Sequence, residues 1–134
     1  MRPFWLTLLL LMALLVRTAA LAAPAERPDC RIEPIQGATS AQGAVAQIHR
    51  VNDGRPCGIT NFGVPAERAN PADSGSITQK PAHGSALFIA PQARYTPERG
   101  YVGADEFEYE AFAKGSHRQS VRLKIRVEVT VTAP

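Results

Sequence analysis

The chain has 134 residues, of which 45% are hydrophobic and 20% charged, with a formal net charge of +3 at pH 7. This length suits one domain, since single domains cluster at roughly 100–150 residues, and the apolar content argues against wholesale disorder. Eleven Pro and ten Gly favour short elements with many turns over a helical bundle. The excess of basic residues raises the question of a nucleic-acid partner.

Residues 1–22 have the pattern of a secretory signal peptide. A short positive start precedes an apolar run of 13 residues, 4–16 (FWLTLLLLMALLV). Ala20-Leu21-Ala22 supplies the small side chains that signal peptidase needs, so we predict cleavage after Ala22, with Ala25 as the second choice. The rival interpretation is a membrane anchor, but the run ends at Arg17 and a membrane span needs about 20 residues. We therefore expect an exported protein, periplasmic or extracellular, with no membrane span after cleavage.

The two cysteines, Cys30 and Cys57, both lie in the predicted mature chain. An even count in an oxidising compartment predicts a disulfide, which would close a loop of roughly 28 residues and stabilise the fold by roughly 3–4 kcal/mol. A metal site is less favoured because no CxxC or HxxxH spacing occurs. A free nucleophilic cysteine is the weakest alternative, since no activating histidine can be assigned to it.

Residues 23–42 contain three prolines and little periodicity, and we interpret them as an N-terminal arm that Cys30 ties to the fold. Residues 43–134 show short β-type segments separated by turn residues and are predicted to form one β domain. The predicted strands before the last third are 44–51, 59–64, 76–80, 85–90 and 93–96.

The last third of the chain predicts a long β-hairpin. Apolar and polar residues alternate from Val121 to Thr132, and the segment 106–111 alternates in the same way. Residues 114–117 (KGSH) form the turn between them by composition. The register that pairs opposite charges sets Glu110, Glu108 and Glu106 opposite Arg122, Lys124 and Arg126. A slip of two residues would keep every side chain on the same face.

This hairpin weakens the case for a nucleic-acid partner. Removal of residues 1–22 leaves 13 basic and 12 acidic residues, a net charge of +1. The basic residues of the last strand are expected to face glutamates, and no aromatic residues interleave with them as stacking platforms. A solvated, salt-bridged sheet face therefore outweighs a phosphate-binding stripe, and we expect no nucleic-acid partner.

Three motifs lie between residues 77 and 131: Lys80-Pro81-Ala82-His83-Gly84, Tyr95-Thr96-Pro97 and residues 100–109 (GYVGADEFEY). The pattern P-x-H-G, Y-x-P, G-[FY]-x-G-x-D-x-F-x-Y resembles the bacterial Ig-like and cadherin-like tandem-repeat domains of exported proteins. The resemblance covers about half of the mature chain and implies an all-β, Ig-like antiparallel β-sandwich of about seven strands. The residues that carry it, for which we expect structural roles, are Pro81, His83, Gly84, Tyr95, Pro97, Gly100, Tyr101, Gly103, Asp105, Phe107 and Tyr109.

The chemistry of these residues supports structural roles. Asp105 can accept backbone N–H bonds within its loop, while Gly100 and Gly103 permit a tight return of the chain. Calcium ligation by Asp105 and Glu106 is disfavoured, because adjacent strand residues point to opposite faces. The turn after the aromatic strand, residues 113–117, also lacks the acidic residue that many relatives carry there.

No catalytic constellation emerges from the sequence. His83 lies in an expected turn without a recognisable partner, and no G-x-S-x-G elbow occurs. Glu106, Glu108 and Glu110 share one strand face but have basic partners and no expected cleft. We therefore expect a module that is not an enzyme and holds no metal or cofactor, structural or binding an unknown protein or polysaccharide of the cell envelope. The alternatives are a calcium-dependent adhesion module and an exported enzyme or accessory subunit with an unrecognised site.

Overall fold

The computed structural model describes residues 29–63 and 70–134. The predicted signal peptide, its cleavage site and the first residues of the predicted arm lie outside these ranges. The described residues form eight strands and no helix, so the all-β prediction is confirmed. The strands are β1 (Cys30–Ile32), β2 (Ala44–Val51), β3 (Cys57–Thr60), β4 (Ser74–Gln79), β5 (Gly84–Ile89), β6 (Gln92–Pro97), β7 (Gly103–Lys114) and β8 (Ser120–Thr132).

The strands form a sandwich of two sheets. One sheet has five strands in the order β1-β2-β8-β7-β4, and the other has three in the order β3-β6-β5. All pairs are antiparallel except β2 and β8, which run parallel with Ala44 opposite Ile125 and Val51 opposite Thr132. The parallel pair departs from the antiparallel prediction. β2 and β3 belong to different sheets, so they form no hairpin with each other. Instead, β2 pairs with the edge of β8 that β7 leaves open.

The core lies between the inner faces of the two sheets. Alternate residues of β8, from Leu123 to Val131, are at most 4% exposed, as the period-two pattern predicts. Phe107 and Tyr109 add two aromatic rings from β7. Phe107 packs against Tyr95 of the opposite sheet with ring centroids 5.7 Å apart. Each such side chain stabilises the fold by about 1.5–3 kcal/mol through burial, so these alternating faces hold the sheets together.

The predicted register of the hairpin is wrong by two residues. Glu110 lies opposite Lys124 in the β7–β8 ladder, and Arg122 lies opposite Phe112. The two-residue shift keeps each side chain on its predicted face, which is why the sequence pattern could not exclude it. Arg122 still reaches diagonally to Glu110 and forms an ion pair with it. The shift also sets Glu106 opposite Glu128, where the prediction had placed a cation.

The turn between β7 and β8 explains the shift. It spans residues 115–119 and is closed by a 2.8 Å hydrogen bond from the backbone N–H of Gly115 to the carbonyl of Gln119. Arg118 within it has a φ of 62°, the left-handed conformation that a five-residue turn of this shape requires. Cross-strand charge pairs contribute only a few tenths of a kcal/mol each, so the turn geometry decides the register.

The disulfide between Cys30 and Cys57 is present, with the two Cα atoms 5.7 Å apart, and the prediction of this bond is confirmed. It joins β1 of the five-stranded sheet to β3 of the three-stranded sheet. β1 lies within the segment predicted as an arm, so part of that segment belongs to the five-stranded sheet. β3 (Cys57–Thr60) begins and ends earlier than the predicted strand 59–64, and beyond it Phe62 pairs with Pro71 in an isolated bridge.

Candidate functional site

The three sequence motifs meet around the carboxylate of Asp105, which is 8% exposed. Its Oδ1 accepts hydrogen bonds from the backbone N–H groups of Ala82 (3.1 Å) and Glu106 (2.9 Å). Its Oδ2 accepts from the backbone N–H of His83 (3.2 Å) and the hydroxyl of Tyr95 (2.6 Å). Four donors occupy both oxygens, so this carboxylate holds the turn before β5 against β6 and β7.

The loop that precedes β7 carries the next group of motif residues. The exposed His83 ring stacks on Tyr101, with centroids 4.2 Å apart and planes 5° from parallel. The Tyr101 hydroxyl donates to the carbonyl of Ala104, closing the loop on itself. Gly100 and Gly103 have φ values of 78° and 138°, in the region that favours glycine. These residues form a compact corner without an acid–base pair.

Two buried tyrosines, Tyr95 and Tyr109, have hydroxyl groups with raised pKa values. Burial, with the Asp105 carboxylate as a second cause, raises the pKa of Tyr95 well above its ordinary value of 10.0. Burial likewise raises the pKa of Tyr109, whose hydroxyl donates a 2.7 Å hydrogen bond to Oδ1 of Asn61. Both hydroxyls are therefore neutral donors that satisfy buried acceptors, and neither has the lowered pKa that a general base would need.

The other polar residues considered from the sequence lie apart from this corner. Glu106, Glu108 and Glu110 lie on the outer face of the five-stranded sheet. Glu108 borders a depression of about 260 Å³ there, together with Lys124 and Arg126. Within residues 29–63 and 70–134, no three His, Cys, Asp or Glu side chains converge as a metal site would require. Nor does this part of the chain contain a helix long and apolar enough to cross a membrane.

The structure shows an apolar groove that the sequence did not reveal. It has a volume of about 530 Å³ and lies between residues 32–39, which continue from β1, and residues 58–63 on the opposite sheet. Leu123 and Ile125 of β8 form its floor. The apolar side chains that line it are Ile32, Pro34, Ile35, Ala38, Ile59, Phe62, Leu123 and Ile125.

One wall of this groove is an open strand edge. Hydrogen-bonded pairs alternate along an antiparallel ladder, and the N–H of Asn61 bonds to the carbonyl of Pro91 (3.0 Å), just beyond the β3–β6 pairing. Because hydrogen-bonded positions recur every second residue, the backbone groups of Ile59 also point towards β6. The same alternation leaves the N–H and C=O groups of Gly58 and Thr60 facing away from β6, on the groove side. In the described part of the chain these groups have no other backbone partner.

Few polar side chains in the groove are free to bind a ligand. The Asn61 amide donates to the carbonyls of Ile59 (3.0 Å) and Pro91 (3.2 Å), and its oxygen accepts from Tyr109. Glu33 contacts His49 and Arg31 at 3.4 and 3.5 Å. The groove therefore offers aliphatic surface, the backbone groups of β3 and two threonine hydroxyls, of which that of Thr60 already accepts a hydrogen bond from Gln92. The one sequence feature that could have indicated the groove is weak: Ile32 and Ile35 are the two large aliphatic residues of the predicted arm.

A second cleft of about 460 Å³ lies beside the disulfide. Arg50, whose side chain is 1% exposed, and Arg55 both form ion pairs with Asp29 and Asp53. The backbone N–H of Arg55 and the surrounding hydrogen bonds and cations lower the pKa of Asp53 to about 2. The four side chains form a charge-balanced network that fixes the β2–β3 loop against the start of β1.

In comparisons with known proteins, no protein-family model matches the chain and no curated protein matches it significantly.

Proposed function

We propose that this chain is an exported, non-catalytic Ig-like module that binds an extended, apolar segment of another envelope protein in the groove beside β3. The observation that carries the proposal is the combination of an apolar floor with the backbone groups of Gly58 and Thr60, which have no backbone partner among the residues that the structure describes. Export follows from the predicted signal peptide and agrees with the disulfide. The Ig-like assignment rests on the sequence motifs and on the two-sheet architecture.

An extended peptide segment fits both features of the groove at once. Strand addition to an open edge uses main-chain hydrogen bonds for affinity and alternate side chains for specificity. A segment beside β3 would pair its backbone with Gly58 and Thr60 and direct every second side chain towards Leu123 and Ile125. The volume of about 530 Å³ is sufficient for a few aliphatic side chains.

A protein segment suits this groove better than a polysaccharide. Sugar hydroxyls need free hydrogen-bonding side chains, and the Asn61 amide is already fully bonded. A calcium-dependent adhesion module has less support, because the Asp105 carboxylate is already bonded to four donors of the protein itself.

Site-specific photo-crosslinking in the native host tests this function. Benzoylphenylalanine replaces Phe62, which lines the groove, or Val45, an aliphatic residue that is 46% exposed on β2 and lies outside the groove. We expect a protein adduct from position 62 and none from position 45. Ile35→Glu, which puts a charge into the groove, should abolish the adduct, whereas Val45→Glu should leave it intact.

Hydrogen exchange on the purified adduct gives the second measurement. The backbone N–H groups of Gly58 and Thr60 should become protected relative to the free protein, because they acquire partners. An absence of adducts at position 62, or an adduct that leaves these two amides unprotected, would contradict strand addition at β3.

A further inference from the structure

The cleft beside the disulfide brings three guanidinium groups together on one wall of the sandwich. Arg50 and Arg55 reach it from β2 and the loop that follows, and Arg94 reaches it from β6. The remaining lining residues are Asp29, Cys30, Pro56, Gly58 and Gln92. Of these residues only Gly58 also lines the apolar groove, through its backbone.

The charges in this cleft do not cancel. Arg50 and Arg55 are matched by the carboxylates of Asp29 and Asp53, with which both form ion pairs. Arg94 has no carboxylate partner among the described residues. Within residues 29–63 and 70–134 its side chain has one hydrogen bond, from Nε to Oε1 of Gln92 (3.1 Å). Among these residues one positive charge therefore remains uncompensated, at the side of the cleft formed by the three-stranded sheet.

The guanidinium of Arg94 is held ready for a ligand. Gln92, which accepts the bond from Arg94, donates from Nε2 to Oγ1 of Thr60 (3.0 Å). This ladder across β3 and β6 orients Arg94, and its two terminal nitrogens have no hydrogen-bond partner in the part of the chain that the structure describes. Gly58 keeps the adjacent space open: a Cβ there would lie 3.1 Å from Oε1 of Gln92 and 3.6 Å from Cγ of Arg94.

The surroundings of Arg94 indicate the chemistry of the ligand. The outer face of the three-stranded sheet carries no acidic residue; its outward residues are Gly58, Thr60, Ser85, Leu87, Ile89, Gln92, Arg94 and Thr96. An unbalanced cation on such a face attracts anions, and the planar guanidinium matches a carboxylate. The hydroxyls of Ser85 and Thr96, which pair across the β5–β6 ladder on the same face, are groups that hydrogen-bond sugar hydroxyls.

We propose that this cleft binds the carboxylate of a uronic-acid polysaccharide, with Arg94 as the cation that holds it. The face is open, so a linear polymer can cross it and present successive carboxylates. Because every repeat carries a carboxylate, each repeat presents an equivalent ligand to the guanidinium of Arg94. This site is separate from the apolar groove and does not depend on the function proposed for it.

Binding of the purified mature protein to polygalacturonate tests the site. We expect Arg94→Gln to weaken binding at least tenfold, Arg94→Lys to weaken it less, and added salt to weaken the parent protein's binding, because the interaction is electrostatic. Arg118→Gln, which removes an exposed guanidinium from the β7–β8 turn, is the matched control and should bind as the parent protein does. Neutral dextran should not bind.

A second variant guards against a loss of fold in Arg94→Gln. Leu87→Glu places a carboxylate directly opposite Arg94 on the same face, at a residue that is 62% exposed, and should weaken binding through charge compensation. Thermal unfolding confirms that each variant folds. Equal binding by the parent protein and Arg94→Gln, or equal binding of dextran, overturns the proposal. Polyglutamate that binds as tightly as polygalacturonate would overturn the assignment to a polysaccharide and favour an acidic peptide.

Discussion

The hydroxyl of Tyr95 donates a 2.6 Å hydrogen bond to Oδ2 of Asp105, and the two residues belong to different sheets. The same carboxylate binds the backbone of the turn that leads into β5. Directly beneath, the Tyr95 ring stacks on Phe107 with centroids 5.7 Å apart. One polar contact and one aromatic contact therefore connect the two sheets at the end where the sequence motifs meet.

Asp105→Ala should destabilise the protein by about 1–3 kcal/mol, because the buried Tyr95 hydroxyl loses its acceptor and an unsatisfied buried group costs about that much. Asp105→Asn should cost less, since an amide oxygen can still accept. Urea denaturation measures both changes. Asp73→Ala is the control, since Asp73 is exposed and, among the described residues, its side chain bonds only to the adjacent Ser74. A loss below about 1 kcal/mol for Asp105→Ala would contradict the central role of this carboxylate.

Gly84→Ala should be destabilising for a reason of space. A Cβ at Gly84 would lie 2.5 Å from the carbonyl oxygen of Thr96 and 2.9 Å from Cε2 of Tyr95. Overpacking of this kind costs about 1–3 kcal/mol. The comparison is Gly54→Ala, where nothing lies within 4 Å and only the φ of 78° opposes the substitution. We expect the Gly84 variant to lose more stability in urea; the reverse order would exclude the contact as the cause.

The sequence predicts which side chains of a strand are buried, because apolar and polar residues alternate along it. Val127 and Val129 are buried and Arg126 is exposed, as period two requires. The register was not predictable, because alternation is unchanged by a two-residue shift and the left-handed Arg118 in the turn decides it. The parallel pairing of β2 with β8 likewise depends on which sheet each strand joins, which no local pattern encodes.

The binding surfaces depend on contacts between distant parts of the chain. Ile35 and Phe62 are separated in sequence and line the same groove only because β1 and β3 lie on opposite sheets. Arg94 can be singled out only once its neighbours are known, because a sequence alone does not show that no carboxylate within residues 29–63 and 70–134 pairs with it. The motif around Asp105 could be recognised because its residues are close together in the sequence. The partners of the Asp105 carboxylate could not, because most of them lie in other parts of the chain.

Removal of the disulfide by Cys30→Ala with Cys57→Ala should destabilise the protein by about 3–4 kcal/mol, because the unfolded chain regains the entropy of a loop of roughly 28 residues. Denaturation of the oxidised parent and of this double variant measures the difference. The parent in reducing buffer should approach the double variant, whereas the double variant should not respond to reductant. Two free thiols in the intact mass of protein from oxidising culture would contradict the bond itself.

Asp53 should contribute to the acid sensitivity of the protein. Its pKa in the folded chain is about 2, below the ordinary 3.8, so the folded state releases this proton more readily than the unfolded state. The resulting stability is present above about pH 4 and is lost as pH falls towards about 2. Asp53→Asn should therefore flatten the decline of the urea midpoint in this range, whereas Asp73→Asn should not. An unchanged pH profile for Asp53→Asn would contradict the role of its ion pairs with Arg50 and Arg55.

Tyr109 should make the protein sensitive to alkali. Burial raises its pKa in the folded state above the ordinary 10.0, so the folded chain keeps the hydroxyl proton that the unfolded chain releases. The stability from this difference is complete below about pH 10 and declines above it, by up to about 1.4 kcal/mol per pH unit for one proton. Tyr109→Phe should lose stability at neutral pH, because Asn61 loses a donor, yet show a shallower decline above pH 10 than the parent. Urea denaturation across this pH range, followed together with phenolate absorbance, measures both effects. Ionisation of Tyr109 in protein that keeps its native circular dichroism would show that its hydroxyl is not held as the structure describes.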